Sequence, residues 1–136
     1  MKEIILKDLS KAMDYTIKVA EAMPEKQLDF KPADEVMSFR ELVHHMAYAL
    51  LWIDENNLQG TEKPWAPPAV QSSKKELVAY LHDAFKRVEA DLKRSGSVDD
   101  AFTASFYFMI EHNAHHRGQA VTYLRCNNIT PPEYPF

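Results

Sequence analysis

His112 and His116 stand four residues apart in the run Glu111-His-Asn-Ala-His-His-Arg-Gly-Gln119. At helical spacing, two such imidazoles leave one face about one turn apart and offer two nitrogens to a single metal ion. A second cluster, His44-His45, lies far upstream, and the two clusters hold five of the six histidines. Two helices that each turn imidazole toward a shared core supply three ligands. Three neutral imidazoles with a fourth position open describe a catalytic type of centre better than a closed structural one, which in small domains usually recruits cysteine. The only cysteine, Cys126, lies about 15 Å beyond His116 along a helix axis and is out of reach. The spacing also fails the zincin pattern His-Glu-x-x-His, because Asn113 follows His112 and Glu111 precedes it.

The elements that position these residues are marked by proline. All eight prolines fall outside four long segments that read as helices. The first runs from about Lys2 to Met23, with Ile5, Leu9, Ala12, Thr16, Ala20 and Met23 as its inner stripe. The second starts at Ser38, where Ser38-Phe-Arg-Glu41 is a capping box, and continues to about Leu58 before Gly60. The third starts at a similar box, Ser73-Lys-Lys-Glu76, and ends near Arg94. The fourth runs from about Asp100 to Asn127; Asn128 can take a left-handed cap, and Pro131-Pro132 stops any continuation. No stretch alternates apolar and polar residues long enough to be a strand. The reading is all-α, a four-helix bundle in a single domain over residues 1–136. The connections Pro24–Met37 and Gly60–Ser72 are longer than a tight up-down bundle needs, so they cross over the bundle or cover one of its ends.

Periodicity sorts the histidines. His45 has Leu42, Ala49 and Trp52 as helical neighbours and faces inward, whereas His44 has the more polar surrounding of Arg40, Glu41, Ala47 and Tyr48. On the fourth helix, Phe102, Phe106, Met109, His116, Ala120 and Tyr123 mark the inner face, with His112 beside it and His115 turned to the rim. Gly118, in mid-helix, suggests the close approach of a neighbouring helix. Gln119 and Arg117 are candidates to orient ligands or to pair with surface acids. Tyr48, Trp52 and Tyr123 are candidate pocket walls, although aromatics at this spacing are more often ordinary core.

Bulk properties narrow the function classes. The chain has 136 residues, 46% hydrophobic and 26% charged, a globular balance. A net charge of −4 without any Lys/Arg run argues against nucleic acid as a partner. The N-terminal apolar stretch is too short for a signal peptide, and Met46–Ile53 is too short to span a bilayer. With one cysteine and no internal disulfide, a cytoplasmic location is expected.

Phe39-Arg-Glu-Leu-Val-His-His-Met-Ala47, His112-Asn-Ala-His-His-Arg-Gly-Gln119 and Leu124-Arg-Cys-Asn-Asn-Ile-Thr-Pro-Pro132 together resemble the DinB-like (DinB/YfiT) superfamily of bacterial four-helix proteins. The resemblance covers nearly the whole chain. It implies a divalent metal, commonly nickel or zinc, held by one histidine of the second helix and two of the last. The Glu-Leu-x-x-His pattern selects His45, and the His-x-x-x-His pair selects His112 and His116, the positions that periodicity also favours. Several relatives join low-molecular-weight thiols to electrophiles, and homodimers are common among them. The resemblance therefore implies a metal-dependent thiol S-transferase or related stress or detoxification enzyme, with a small thiol and an electrophile as partners and a homodimer as its assembly. The alternatives are a non-enzymatic metal-binding stress protein and a metal-dependent hydrolase using metal hydroxide.

Overall fold

Four helices form in the computed structural model, which describes residues 1–135: α1 (Lys2–Ala22), α2 (Phe39–Ile53), α3 (Lys74–Arg94) and α4 (Asp100–Cys126). No strand occurs among the described residues, and none of their helices is long and apolar enough to cross a membrane. The predicted boundaries hold to within a few residues, for the reasons the sequence supplies. Ser38 Oγ accepts from the backbone of Glu41, whose carboxylate accepts from Ser38 N at 2.7 Å, so the capping box is complete. Only half of the second box forms: Ser73 Oγ accepts from Glu76 N, but the Glu76 carboxylate lies against Ser72 Oγ instead. At the far end of α4, Asn128 takes φ 58°, the left-handed conformation expected of it.

Helix directions follow from which residues meet. Asp8 accepts from Tyr107 Oη, and Thr16 Oγ1 donates to Asn113 Oδ1, so α1 and α4 run parallel. Lys2 Nζ reaches the carbonyl of Lys93, and Lys74 Nζ that of Glu21, which makes α1 and α3 antiparallel. Arg40 donates to the carbonyl of Gln71 just ahead of α3, and His44 stacks on Tyr80, so α2 and α3 are parallel. Tyr123 Oη donates to Met37 O, which sets α4 antiparallel to α2. Each of α1 and α2 packs against both α3 and α4, and the pairs α1/α2 and α3/α4 lie across the diagonals.

This topology explains the two long connections. Residues 23–38, with a 3-10 turn at Glu25–Gln27, cross one end of the bundle from α1 to α2. Because α2 and α3 run parallel, residues 59–73 must return along the whole of α2. An extended chain gains about 3.3–3.6 Å per residue, ample for a helix and turn of roughly 30 Å. The core between the helices holds Ile5, Leu9, Phe39, Leu42, Leu81, Phe85 and Phe106 with almost no exposure. Each such side chain contributes on the order of 1.5–3 kcal/mol relative to leaving it in water. The whole inner stripe foreseen for α1 is buried, including Thr16, whose hydroxyl is satisfied by Asn113.

One feature breaks the helical pattern. At Asp54 the chain widens into a single π turn, Asp54–Leu58, closed by Gln59 N donating to Asp54 O at 2.8 Å. The Asp54 carboxyl is 1% exposed and meets Asp91 of α3, itself 2% exposed. Asp54 Oδ1 accepts from Gln59, but Oδ2 has no donor. Where two carboxyl groups hydrogen-bond to one another, one of them carries a proton and donates it, and here that one is Asp54. Burial first, and then the hydrogen bond to Asp91, push Asp54 up to about 7. Burial also acts to raise Asp91, but the hydrogen bond from Asp54 and the guanidinium groups of Arg87 and Arg94 outweigh it and hold that carboxylate low.

Candidate metal centre

The antiparallel register of α2 and α4 brings His45 opposite the pair one turn apart on α4. The three Nε2 atoms converge, with His45 at 3.3 Å from His112 and 3.1 Å from His116, and His112 at 3.2 Å from His116. All three rings are half-buried. A cation bonded to imidazole nitrogens at about 2.0–2.1 Å sets them about 3.3–3.4 Å apart at tetrahedral angles and about 2.9 Å apart at right angles. The observed triangle lies between those limits.

The protonation pattern points the same way. His116 Nδ1 donates to Gln119 Oε1 at 2.8 Å, which leaves its Nε2 as a lone pair. His45 and His112 cannot both satisfy that one lone pair and also satisfy each other, whereas a single cation satisfies all three nitrogens. Burial, followed by the neighbouring imidazoles of His116, His112 and His44, lowers His45 to about 4. Burial and then His116 and His115 lower His112 as well. Neither ring takes up a second proton at neutral pH, so each keeps the lone pair that a metal ligand requires. Replacing Gln119 with Leu is expected to weaken metal affinity about 10–100-fold, read by competition with a coloured chelator, because the His116 tautomer is then no longer fixed.

His44 departs from expectation. Its surrounding was read as polar, yet it is only 5% exposed. It faces α3 rather than the triad, with Nδ1 at 2.9 Å from Gln71 Oε1 and its ring stacked on Tyr80. His115 is exposed at the rim, edge-on to His116. Gly118 is exposed, and a Cβ there would meet nothing within 4 Å, so no helix approaches closely. Arg117 turns to the α1 side, over the Tyr15 ring at 4.9 Å, and orients no ligand. Tyr123 lies away from the triad, packed on Phe30. Glu41, four residues before His45, is engaged in the capping box, and no carboxylate joins the three histidines among the described residues.

The residue that periodicity missed is Trp65, on the crossover. Its ring lies 5.6 Å from that of His45, 4.7 Å from Tyr48 and 5.6 Å from Trp52. Two of the three foreseen aromatics, Tyr48 and Trp52, thus pack on the ring that meets His45, a ring from a segment without helical period. The proline-rich run Lys63-Pro-Trp-Ala-Pro-Pro68 marks it as a stiff strap carrying one large ring.

The chain is thus an all-helical bundle in which three imidazoles from two antiparallel helices are positioned to hold a metal ion. The sequence pattern of the DinB superfamily matches residues 8–120, and this chain belongs to that superfamily. The fold is that of a DinB-like protein from Bacillus cereus, with a TM-score of 0.82 at 17% identity over 96% of this chain and 95% of the other. A DinB-like protein from Bacillus subtilis gives a TM-score of 0.70 at 21% identity over 97% and 96% of the two chains. No curated protein matches the sequence significantly.

Proposed function

We propose that this protein is a metal-dependent enzyme that joins a low-molecular-weight thiol to an electrophile. The observation that carries the reading is the convergence of three imidazoles from two helices, with no carboxylate or cysteine among the described residues joining them. Such a donor set fits zinc or nickel. A divalent cation in a three-imidazole site leaves a position for an exogenous ligand and stabilises a bound thiolate at neutral pH.

The chain's own residues supply the rest. His45, His112 and His116 would hold the ion, and Gln119 keeps His116 in the tautomer that would bind it. The thiol proton passes to solvent, since no carboxylate joins the triad among the described residues. The sulfur then forms a bond to carbon, and the leaving group departs with its bonding pair. The same absence of a carboxylate weighs against the hydrolase alternative, in which such a group would manage the proton of an attacking water.

The test is conjugation of several small thiols to a chromogenic electrophile, by protein loaded with zinc or nickel, with and without chelator. Chelator-sensitive turnover that disappears in His112→Ala supports the transferase. Metal that raises thermal stability without turnover for any thiol assigns the triad to a passive staple between α2 and α4.

A further inference from the structure

The geometry points to Trp65 as the specificity-determining residue of the triad's ligand, selecting molecules that carry an aromatic group next to their metal-binding atom. The inference deepens the proposed function and rests on its metal site, but not on its group transfer.

Trp65 stays 47% exposed although its ring meets three other rings. The free face of this ring, set in a cluster with His45, Tyr48 and Trp52, is a surface on which a planar apolar group can pack. It is also held still. Trp52 Nε1 donates to Lys63 O at 3.1 Å, and Lys63 N donates to Asn56 Oδ1 at 2.8 Å, which pins the chain ahead of Trp65. Ala66 N donates to Tyr48 Oη at 2.9 Å and pins it immediately after. Lys63 is itself paired with Glu55, so its ammonium is not offered to a ligand. Pro64, Pro67 and Pro68 restrict the backbone on both sides. Preorganisation of this kind removes the ordering cost that a mobile loop imposes on binding.

The wall stands beside His45 rather than elsewhere on the surface. On α4, Phe108 lies one turn before His112 and is 53% exposed. Because α2 and α4 are antiparallel, with Met37 level with Tyr123 and His45 level with His112 and His116, Phe108 falls level with Trp52. Exposed aromatic surface therefore lies toward the same end of the bundle on the crossover beside α2 and on α4. A ligand whose donor atom reaches the three Nε2 positions lays its next few atoms against Trp65. A phenyl or similar planar group gains edge-to-face or offset contact there, while a short aliphatic chain does not.

The test uses protein loaded with cobalt(II), titrated with phenylmethanethiol and separately with ethanethiol, followed by sulfur-to-metal charge-transfer absorbance. The native chain is expected to bind phenylmethanethiol about tenfold more tightly. Trp65→Ala should reduce that preference to under about threefold without changing ethanethiol binding or the cobalt affinity, and Trp65→Phe should keep most of it. Equal binding of the two thiols by the native chain, or an undiminished preference in Trp65→Ala, overturns the inference. A preference that behaves as expected supports it whether or not conjugate forms, so failure of the transferase reading is seen separately, in the conjugation assay.

Discussion

Alanine at His45, His112 or His116 is expected to abolish stoichiometric metal binding, each change weakening affinity by at least about 100-fold. The effect exceeds the 10–100-fold typical of residues that only orient a ligand, because one of three bonds is lost and two imidazoles on a half-buried surface remain. Metal is also coupled to stability. An ion present at 100 times its Kd stabilises the native state by about 2.7 kcal/mol, which for a chain of this size raises Tm by roughly 10 °C. Each variant should lose that increment while keeping the Tm of the metal-free native chain to within a few degrees. His115→Ala is the control on the same helix: its ring is exposed at the rim, and both metal uptake and the increment should persist. Calorimetric titration with nickel and zinc, with thermal melts in parallel, reads both quantities.

The second large effect concerns the buried carboxyl pair between α2 and α3. Asp54 is held protonated up to about 7 in the folded chain, whereas an unfolded aspartate gives up its proton near 4. A pKa raised by folding contributes stability that is complete below the unfolded value and is lost as pH climbs through the folded value. Between about pH 4 and 7 this pair therefore makes the fold progressively weaker, on the order of 2–4 kcal/mol in all. Asn at position 54 keeps the shape and donates to Asp91 at every pH. The difference in unfolding free energy between Asp54→Asn and the native chain should grow in favour of the variant from pH 5 to pH 8. Taking the difference removes the opposite slope that His45 and His112 impose, since their lowered pKa values make stability rise with pH below the ordinary histidine value. Urea denaturation of both chains across that range measures it, and a difference that stays flat contradicts the shared proton.

Local physics made most of the fold legible. Proline placement, Ser38 with Glu41, and Asn128 before Pro131 act within a few residues of themselves, so four helices and their ends could be read without tertiary knowledge. The triad was legible for a related reason: periodicity sets His112 and His116 on one face and favours His45 over His44 as the inward ring, and the Glu41-Leu-Val-His-His45 pattern selects the same residue. The topology was not legible, because parallel α2 and α3 follow from contacts between segments far apart in the chain. With it went Trp65, which a sequence period cannot place. His44 was misjudged because its partners, Gln71 and Tyr80, arrive from the crossover and from α3. The acid pair did leave a trace. Asp54 follows Leu50 by one turn, and Asp91 follows Val88 by three residues, so each acid sits on the apolar stripe of its helix. Two acids on facing apolar stripes are the pattern that a shared proton requires.

The most direct test of the central claim is anomalous diffraction from crystals of the untagged chain loaded with nickel, recorded at the metal edge. The structure predicts one strong peak per chain, about 2.0–2.1 Å from Nε2 of His45, His112 and His116 together. A peak bound elsewhere, or bound by the α4 pair with the His45 ring turned away, contradicts it.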